Sequence, residues 1–211
     1  MSVTHLFVKR YPGASMETIT YLECDHKIGI KSSVPCLPLR QVLITQKSTL
    51  LTDIGIQAGD LKENIVIDCE NLYDLASGTV IMIGDVLIRL TFHCETCGKV
   101  PPMIREKIFH KRGYLGSFIN SGSIRIGDEV KIIGKIYDSI PYDILLRIQW
   151  YLDANPTPIS SSELLREVGL SNSYARALPK YLSKLPISYQ DKIIFKNRAI
   201  TSSINTTHKK E

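Results

Sequence analysis

Short β-prone runs punctuated by glycine, followed by an abrupt change to helical spacing, most constrain what this chain can fold into. Leu6-Phe7-Val8, Thr18 to Leu22, Val42-Leu43-Ile44, Asn64 to Ile67, Val80 to Ile83 and Val130 to Ile133 each have the length of one strand and are rich in aliphatic and β-branched residues. Many short strands in succession argue for a closed or strongly curved sheet, because closure removes unpaired edges. Lys47 to Gly55 is the best helical candidate within this part. A mouth at one end of such a barrel collects strand-end residues into one site.

At Gly134 to Pro141 the period changes, and we place a domain boundary there: residues 1–136 form a β-barrel-like domain, 137–200 a small helical one, and 201–211 a disordered tail. Ile144, Leu145, Ile148 and Leu152 follow at helical intervals until Asn155-Pro156 stops the helix. Ser160 to Glu163 offers an N-cap with an acidic first turn, and Gly169 ends the next helix. Ser171-Asn172-Ser173 caps a further helix, with Tyr174, Leu178, Tyr181 and Leu182 on its buried side. An extended Ile187 to Phe195, with a turn at Gln190-Asp191 as wing tip, completes the pattern of a winged helix-turn-helix. The fold class expected is therefore mixed α+β, a β-barrel-like domain followed by a small winged helix-turn-helix domain.

Arg176, Lys180 and Lys184 project outward in that reading and are the candidate nucleic-acid contacts. From residue 141 onward there are 10 Lys+Arg against 6 Asp+Glu, a balance of +4 out of the chain's +5. That is mild for a nucleic-acid module, and winged helices also dock on proteins.

The 211 residues exceed the ~100–150 usual for one domain. No run approaches the ~20 apolar residues of a membrane helix, and Met1 to His5 lacks a signal-peptide pattern, so a cytoplasmic protein without membrane contact is expected. Five cysteines, an odd number, argue for reduced thiols. Cys24, Cys36 and Cys69 read as packing residues, with Cys36 in a loop where it could react.

The remaining pair, Cys94 and Cys97, stands at the end of the strand-like run Val86 to Leu90, which is entered through the turn signal Ile83-Gly84-Asp85. Two cysteines at this spacing can hold a metal, form a reversible disulfide, leave one thiolate as nucleophile or metal ligand, or simply pack. A zinc site built with His93 and His110 is the least favoured option, since adjacent His93 and Cys94 do not easily share one tetrahedral ion.

Several blocks in order resemble the MOSC domain, the fold of the C-terminal part of molybdenum cofactor sulfurases and of amidoxime-reducing enzymes. They are Leu39 to Ile44 with its Arg-Gln-Val, Gly59 to Ile67 with its basic-x-Asn-Ile-Val, Ile83 to Ile88, the cysteine pair, Gly113 to Gly116, and Gly122 to Val130. The resemblance covers roughly the first two thirds of the chain. It implies that Cys97 ligates molybdenum, with Cys94 as its neighbour, and that Arg40, Lys62 and Asn64 hold the anionic pterin phosphate of the molybdenum cofactor (molybdopterin). After Gly29-Ile30 this chain carries Lys31 to Cys36 in place of a Gly-Asp pair and a polar residue. Between Pro101-Pro102 and Gly113 it carries a basic loop with Arg105, Lys107, Lys111 and Arg112, so the substrate-facing wall is its own.

The resulting expectation is a molybdenum-cofactor-binding oxidoreductase acting on N-hydroxylated compounds such as N-hydroxylated bases, or a sulfur carrier in which Cys97 takes a sulfane sulfur and Cys94 resolves it. An oxidoreductase would need an external reductant, since no flavin or nicotinamide motif is present. The alternative is a DNA- or tRNA-binding protein that docks through the winged helix without a cofactor.

Overall fold

The computed structural model describes residues 1–50, 56–94, 105–108 and 110–195. Its first part is an eight-stranded sheet built from β1 (Val3–Val8), β2 (Glu17–Ile19), β5 (Val42–Gln46), β6 (Ile65–Ile67), β7 (Thr79–Ile83), β8 (Val86–His93), β9 (Tyr114–Phe118) and β11 (Val130–Lys135), in the order β11-β7-β8-β9-β5-β6-β1-β2. All neighbours in it are antiparallel except β5 and β6. A second sheet of β10 (Gly122–Arg125), β3 (Tyr21–Asp25) and β4 (Gly29–Ile30) folds over it, and the residues that face inward, including Leu6, Ile44, Ile65, Ile88 and Ile124, form one core.

The large sheet curls back on itself. Ser2 bridges Glu129, Val3 N–H donates to Asp128 O (3.0 Å) and Val130 N–H donates to Met1 O (2.9 Å), so the start of β1 reaches the start of β11. Strand β7 turns into β8 through Gly84-Asp85, where Gly84 takes φ +55°, as a two-residue hairpin requires. The register of β8 against β9 shifts between Leu90 and His93, an irregularity that re-aims the strand end at the barrel rim.

The second part is helical. It contains α1 (Ile144–Ala154), α2 (Ser161–Glu167), α3 (Leu178–Leu182), α4 (Ile187–Gln190) and two two-residue strands, β12 (Ile159–Ser160) and β13 (Ile193–Ile194), paired in parallel. Ile148, Leu152, Leu164, Leu165, Val168 and Leu182 are among the residues of its own core. Asp143 caps α1 by accepting from Leu146 N–H, and Ser160 caps α2 by accepting from Glu163 N–H, as the sequence signals require. Gly169, at φ +70°, closes α2 with Leu170 N–H donating to Leu165 O (2.8 Å) and Gly169 N–H to Arg166 O (3.1 Å), the paired pattern of a left-handed helix stop.

Three expectations need correction. The helix expected after Ser171 is broken into a 3-10 turn, Asn172–Arg176, and the five-residue α3, because Pro179 has no N–H and its ring prevents continuous α-geometry across the junction. The extended segment expected from Ile187 begins instead as α4, which follows Pro186 at φ −50°. Gln190 is the last residue of that helix, and its amide donates to Leu185 O (2.9 Å), so it is no wing tip. Within Lys47 to Gly55 the described helical structure is the 3-10 turn Lys47–Thr49, and residues 51–55 lie outside the described set. Among the described residues no helix is long and apolar enough to cross a membrane.

Candidate functional site

A cavity of about 700 Å³ opens where the barrel rim meets the helical part, within the range of small-molecule sites. Arg40, Lys62, Asn64 and Cys94, four of the residues singled out from the sequence, border it together. The fold explains their convergence. Arg40 stands two residues before β5, Lys62 and Asn64 precede β6, and Cys94 follows β8, so each stands near one end of a rim strand. Cys97, the thiol to which the resemblance assigns most chemistry, lies outside the described residues.

Cys94 is only 3% exposed and packs in a cluster with Leu43, Phe92, Leu115 and Ile140. Its backbone N–H donates to Gly113 O (2.8 Å), which ties the end of β8 to the approach to β9. Asn64 is held from two sides. Its Oδ1 accepts from Leu43 N–H (3.0 Å), its Nδ2 donates to Phe7 O (3.4 Å), and its backbone bonds the same two residues. The side chain thus staples β1 to β5 as well as bordering the cavity. Lys62 is exposed and adopts φ +66°, a left-handed conformation within the turn that begins at Gly59. Arg40 is half-buried, and its Nη1 donates to Gly169 O (3.2 Å) across the two parts.

Two buried arginines join this group. Arg112, 5% exposed, donates from Nη2 to Leu61 O (3.2 Å). Arg147, 1% exposed, comes from α1 and lays its guanidinium over the Phe92 ring at 3.9 Å. With Lys9, Arg40 and Lys62, five described lining residues carry a full positive charge, and none of the described lining residues is Asp or Glu. Such a wall attracts anions. Arg112 was visible in the sequence as part of a basic loop. Arg147 was missed, although its position between Ile144 and Ile148 on an apolar helix face is a signal that it is buried.

His93 also borders the cavity, with its ring 4.3 Å from that of Tyr114 and 5.7 Å from that of His110. Burial, with the nearby His110 charge adding to it, lowers its pKa and favours the neutral imidazole. Cys36 lies on the cavity wall too. Its thiol donates to Ile28 O (3.2 Å), and burial raises its pKa, which keeps it protonated. Among the described residues no group of three or more His, Cys, Asp or Glu is placed to hold a metal ion.

Arg176, Lys180 and Lys184 stand apart from the cavity lining. All three are exposed on the helical part, as expected for outward-facing charges.

No family model matches the sequence, and no curated protein matches it. Solved structures do. YiiM from Escherichia coli is 17% identical with a TM-score of 0.52, covering 88% of this chain and 94% of its own. YiiM from Geobacillus stearothermophilus is 14% identical with a TM-score of 0.53, covering 86% and 98%. The YuaD protein of Bacillus subtilis is 13% identical with a TM-score of 0.56, covering 64% and 96%. For this chain of 211 residues, 88% is about 186, some 50 more than the 136 allotted to the barrel, so the likeness to YiiM takes in helical structure as well. At these identities the likeness shows the fold alone: a mixed α+β protein whose curled sheet is consistent with a MOSC-like barrel.

Proposed function

We propose that the chain is a MOSC-domain protein that binds the molybdenum cofactor, with Cys97 as metal ligand, and that it works as an oxidoreductase on N-hydroxylated compounds such as N-hydroxylated bases. The observation that carries this reading is the cavity itself, rich in Lys and Arg, without a carboxylate among its described lining residues, and bordered by the cysteine that ends β8. The residues present fit the group. A phosphate-bearing pterin suits the cationic wall, and the cavity volume suits a cofactor-sized ligand.

Arg40 and Lys62 would hold the phosphate by charge-assisted hydrogen bonds, with Asn64 adding the amide hydrogen that its two strand contacts leave over. Arg112, fixed by its bond to Leu61 O, adds field strength from a buried position. When bound, the cofactor would supply a molybdenum centre competent for oxygen-atom transfer. A soft thiolate from Cys97 suits such a centre, and Cys94, packed among apolar side chains, would set the position of the strand end that leads to it.

The sulfur-carrier version uses the same thiols. There a Cys97 persulfide would be attacked at the sulfur bonded to Cys97 by the Cys94 thiolate, forming a Cys94–Cys97 disulfide and releasing hydrosulfide. The burial of Cys94 disfavours this version, because attack requires the thiol to leave its cluster.

The test is elemental analysis by mass spectrometry of protein purified anaerobically from a host that makes molybdopterin, beside Cys97→Ser and Cys94→Ser. Near-stoichiometric molybdenum, lost in Cys97→Ser and retained in Cys94→Ser, is the expected result. Absence of molybdenum from the wild type, with the host shown to supply cofactor, would overturn the reading and move weight to sulfur transfer or to nucleic-acid binding through Arg176, Lys180 and Lys184.

A further inference from the structure

The barrel alone does not complete the cavity. Arg147 from α1 and Leu170, Ser171, Ser173 and Tyr174 from the segment after α2 form its other wall. That wall has a definite chemistry. Arg147 places a full positive charge against the Phe92 ring, Tyr174 is a half-buried aromatic, and the hydroxyls of Ser171 and Ser173 are hydrogen-bonded to each other at 2.6 Å. The wall is held to the rim by the bond from Arg40 to Gly169 O, directly before Leu170.

We propose that this helical wall is the substrate-side subsite of the cavity and that it selects a nucleoside monophosphate over the uncharged nucleoside, with Arg147 as the residue that recognises the phosphate. A flat heterocycle has a π-face for Tyr174, a ribose has hydroxyls for Ser171 and Ser173, and a phosphate dianion has charge for a guanidinium in a site of low dielectric. Arg147 suits this role better than a surface lysine. Its planar fork is pre-oriented by the Phe92 ring, so little side-chain freedom is lost when an anion binds. The inference rests on the reading of the cavity as the ligand site, and it makes the helical part a component of that site.

The experiment is calorimetric titration of the full chain, purified from a molybdopterin-producing host, with AMP and with adenosine, for wild type, Arg147→Met and Arg147→Lys. Molybdenum content and circular dichroism are recorded on each sample. Wild type is expected to favour AMP over adenosine by tenfold or more. Arg147→Met should remove that preference while keeping its fold and its molybdenum content, and Arg147→Lys should restore part of it. Equal affinity for AMP and adenosine in the wild type would overturn the proposal, as would an unchanged preference in a folded Arg147→Met. Loss of molybdenum together with the preference would also overturn it, by assigning Arg147 to the cofactor. Protein without molybdenum that still prefers AMP through Arg147 would sustain it while the cofactor reading fails. Should Arg147→Met fail to fold, Tyr174→Leu serves as second variant, expected to weaken AMP and adenosine alike; no weakening of either would count against the subsite.

Discussion

Arg40 and Gly169, 129 residues apart in sequence, meet through a hydrogen bond of 3.2 Å from the Arg40 guanidinium to the Gly169 carbonyl. The contact is close on both sides. A Cβ on Gly169 would lie 3.2 Å from Phe92 Cζ and 3.4 Å from Arg40 Cδ, and the residue already stands at φ +70°. Gly169→Ala is therefore expected to cost about 1–2 kcal/mol from the left-handed backbone alone, with crowding against Phe92 and Arg40 added. Trp150, the single tryptophan, packs against the cluster of Leu43, Phe92 and Cys94, so its fluorescence during urea unfolding reads this junction directly. An unchanged midpoint would show that the junction yields easily.

Asn64 separates a structural role from a binding role. Asn64→Ala removes an acceptor for Leu43 N–H and a donor to Phe7 O, and is expected to destabilise the barrel by about 1–3 kcal/mol. Denaturant unfolding without ligand checks this. Unaltered stability with weakened anion binding would make Asn64 a ligand residue first.

Glu63 gives a pH signature. Its carboxyl is fully buried, Oε1 accepts from Gly59 N–H at 2.5 Å, Oε2 has no hydrogen-bond partner among the described residues, and burial raises its pKa. An acid whose folded pKa lies above its unfolded value binds more protons when folded, so it costs nothing below the unfolded value near 4.5 and costs progressively more as pH rises through the folded value. Glu63→Gln should raise the melting temperature at pH 8 and lose that advantage near pH 4. Thermal melts at the two pH values decide it, and an equal effect at both would remove the ionisation argument.

Replacing Arg176, Lys180 and Lys184 together by Gln tests nucleic-acid docking. If all three contact phosphates of a duplex, the slope of log affinity against log salt should flatten by roughly 2 to 3. Fluorescence anisotropy with labelled duplex DNA and tRNA across salt concentrations measures this. Binding by the wild type that does not respond to salt would end the idea.

The strands were legible because β-branched runs bounded by glycine carry their own signal, and the caps at Ser160 and Gly169 were legible because each is a local chemical requirement. Strand-end position led us to expect Arg40, Lys62, Asn64 and Cys97 together at the barrel mouth; Arg40, Lys62 and Asn64 border the cavity beside Cys94, and Cys97 lies outside the described residues. Arg147 was not legible as a cavity residue, since what buries a cation is a partner ring, here Phe92, 55 residues away (147 − 92). The segment after Pro186 misled because Ile187-Ser188-Tyr189 has strand-like composition. There tertiary contacts decide: Tyr189 donates to Asp153 (2.6 Å) and Gln190 to Leu185 O.

The Ser2–Glu129 bridge sets a clock on the making of this protein. Its two halves are 127 residues apart (129 − 2), and at about 5–20 residues per second of synthesis the second emerges roughly 6 to 25 s after the first. During that interval β1 can pair with β2 and β6, but the edge of Met1 to Val3 that later meets Asp128 to Val130 has no partner. Barrel completion is thus a late, long-range event, and the nascent chain carries an open sheet edge that a chaperone must shield or that neighbouring chains on the same message can meet.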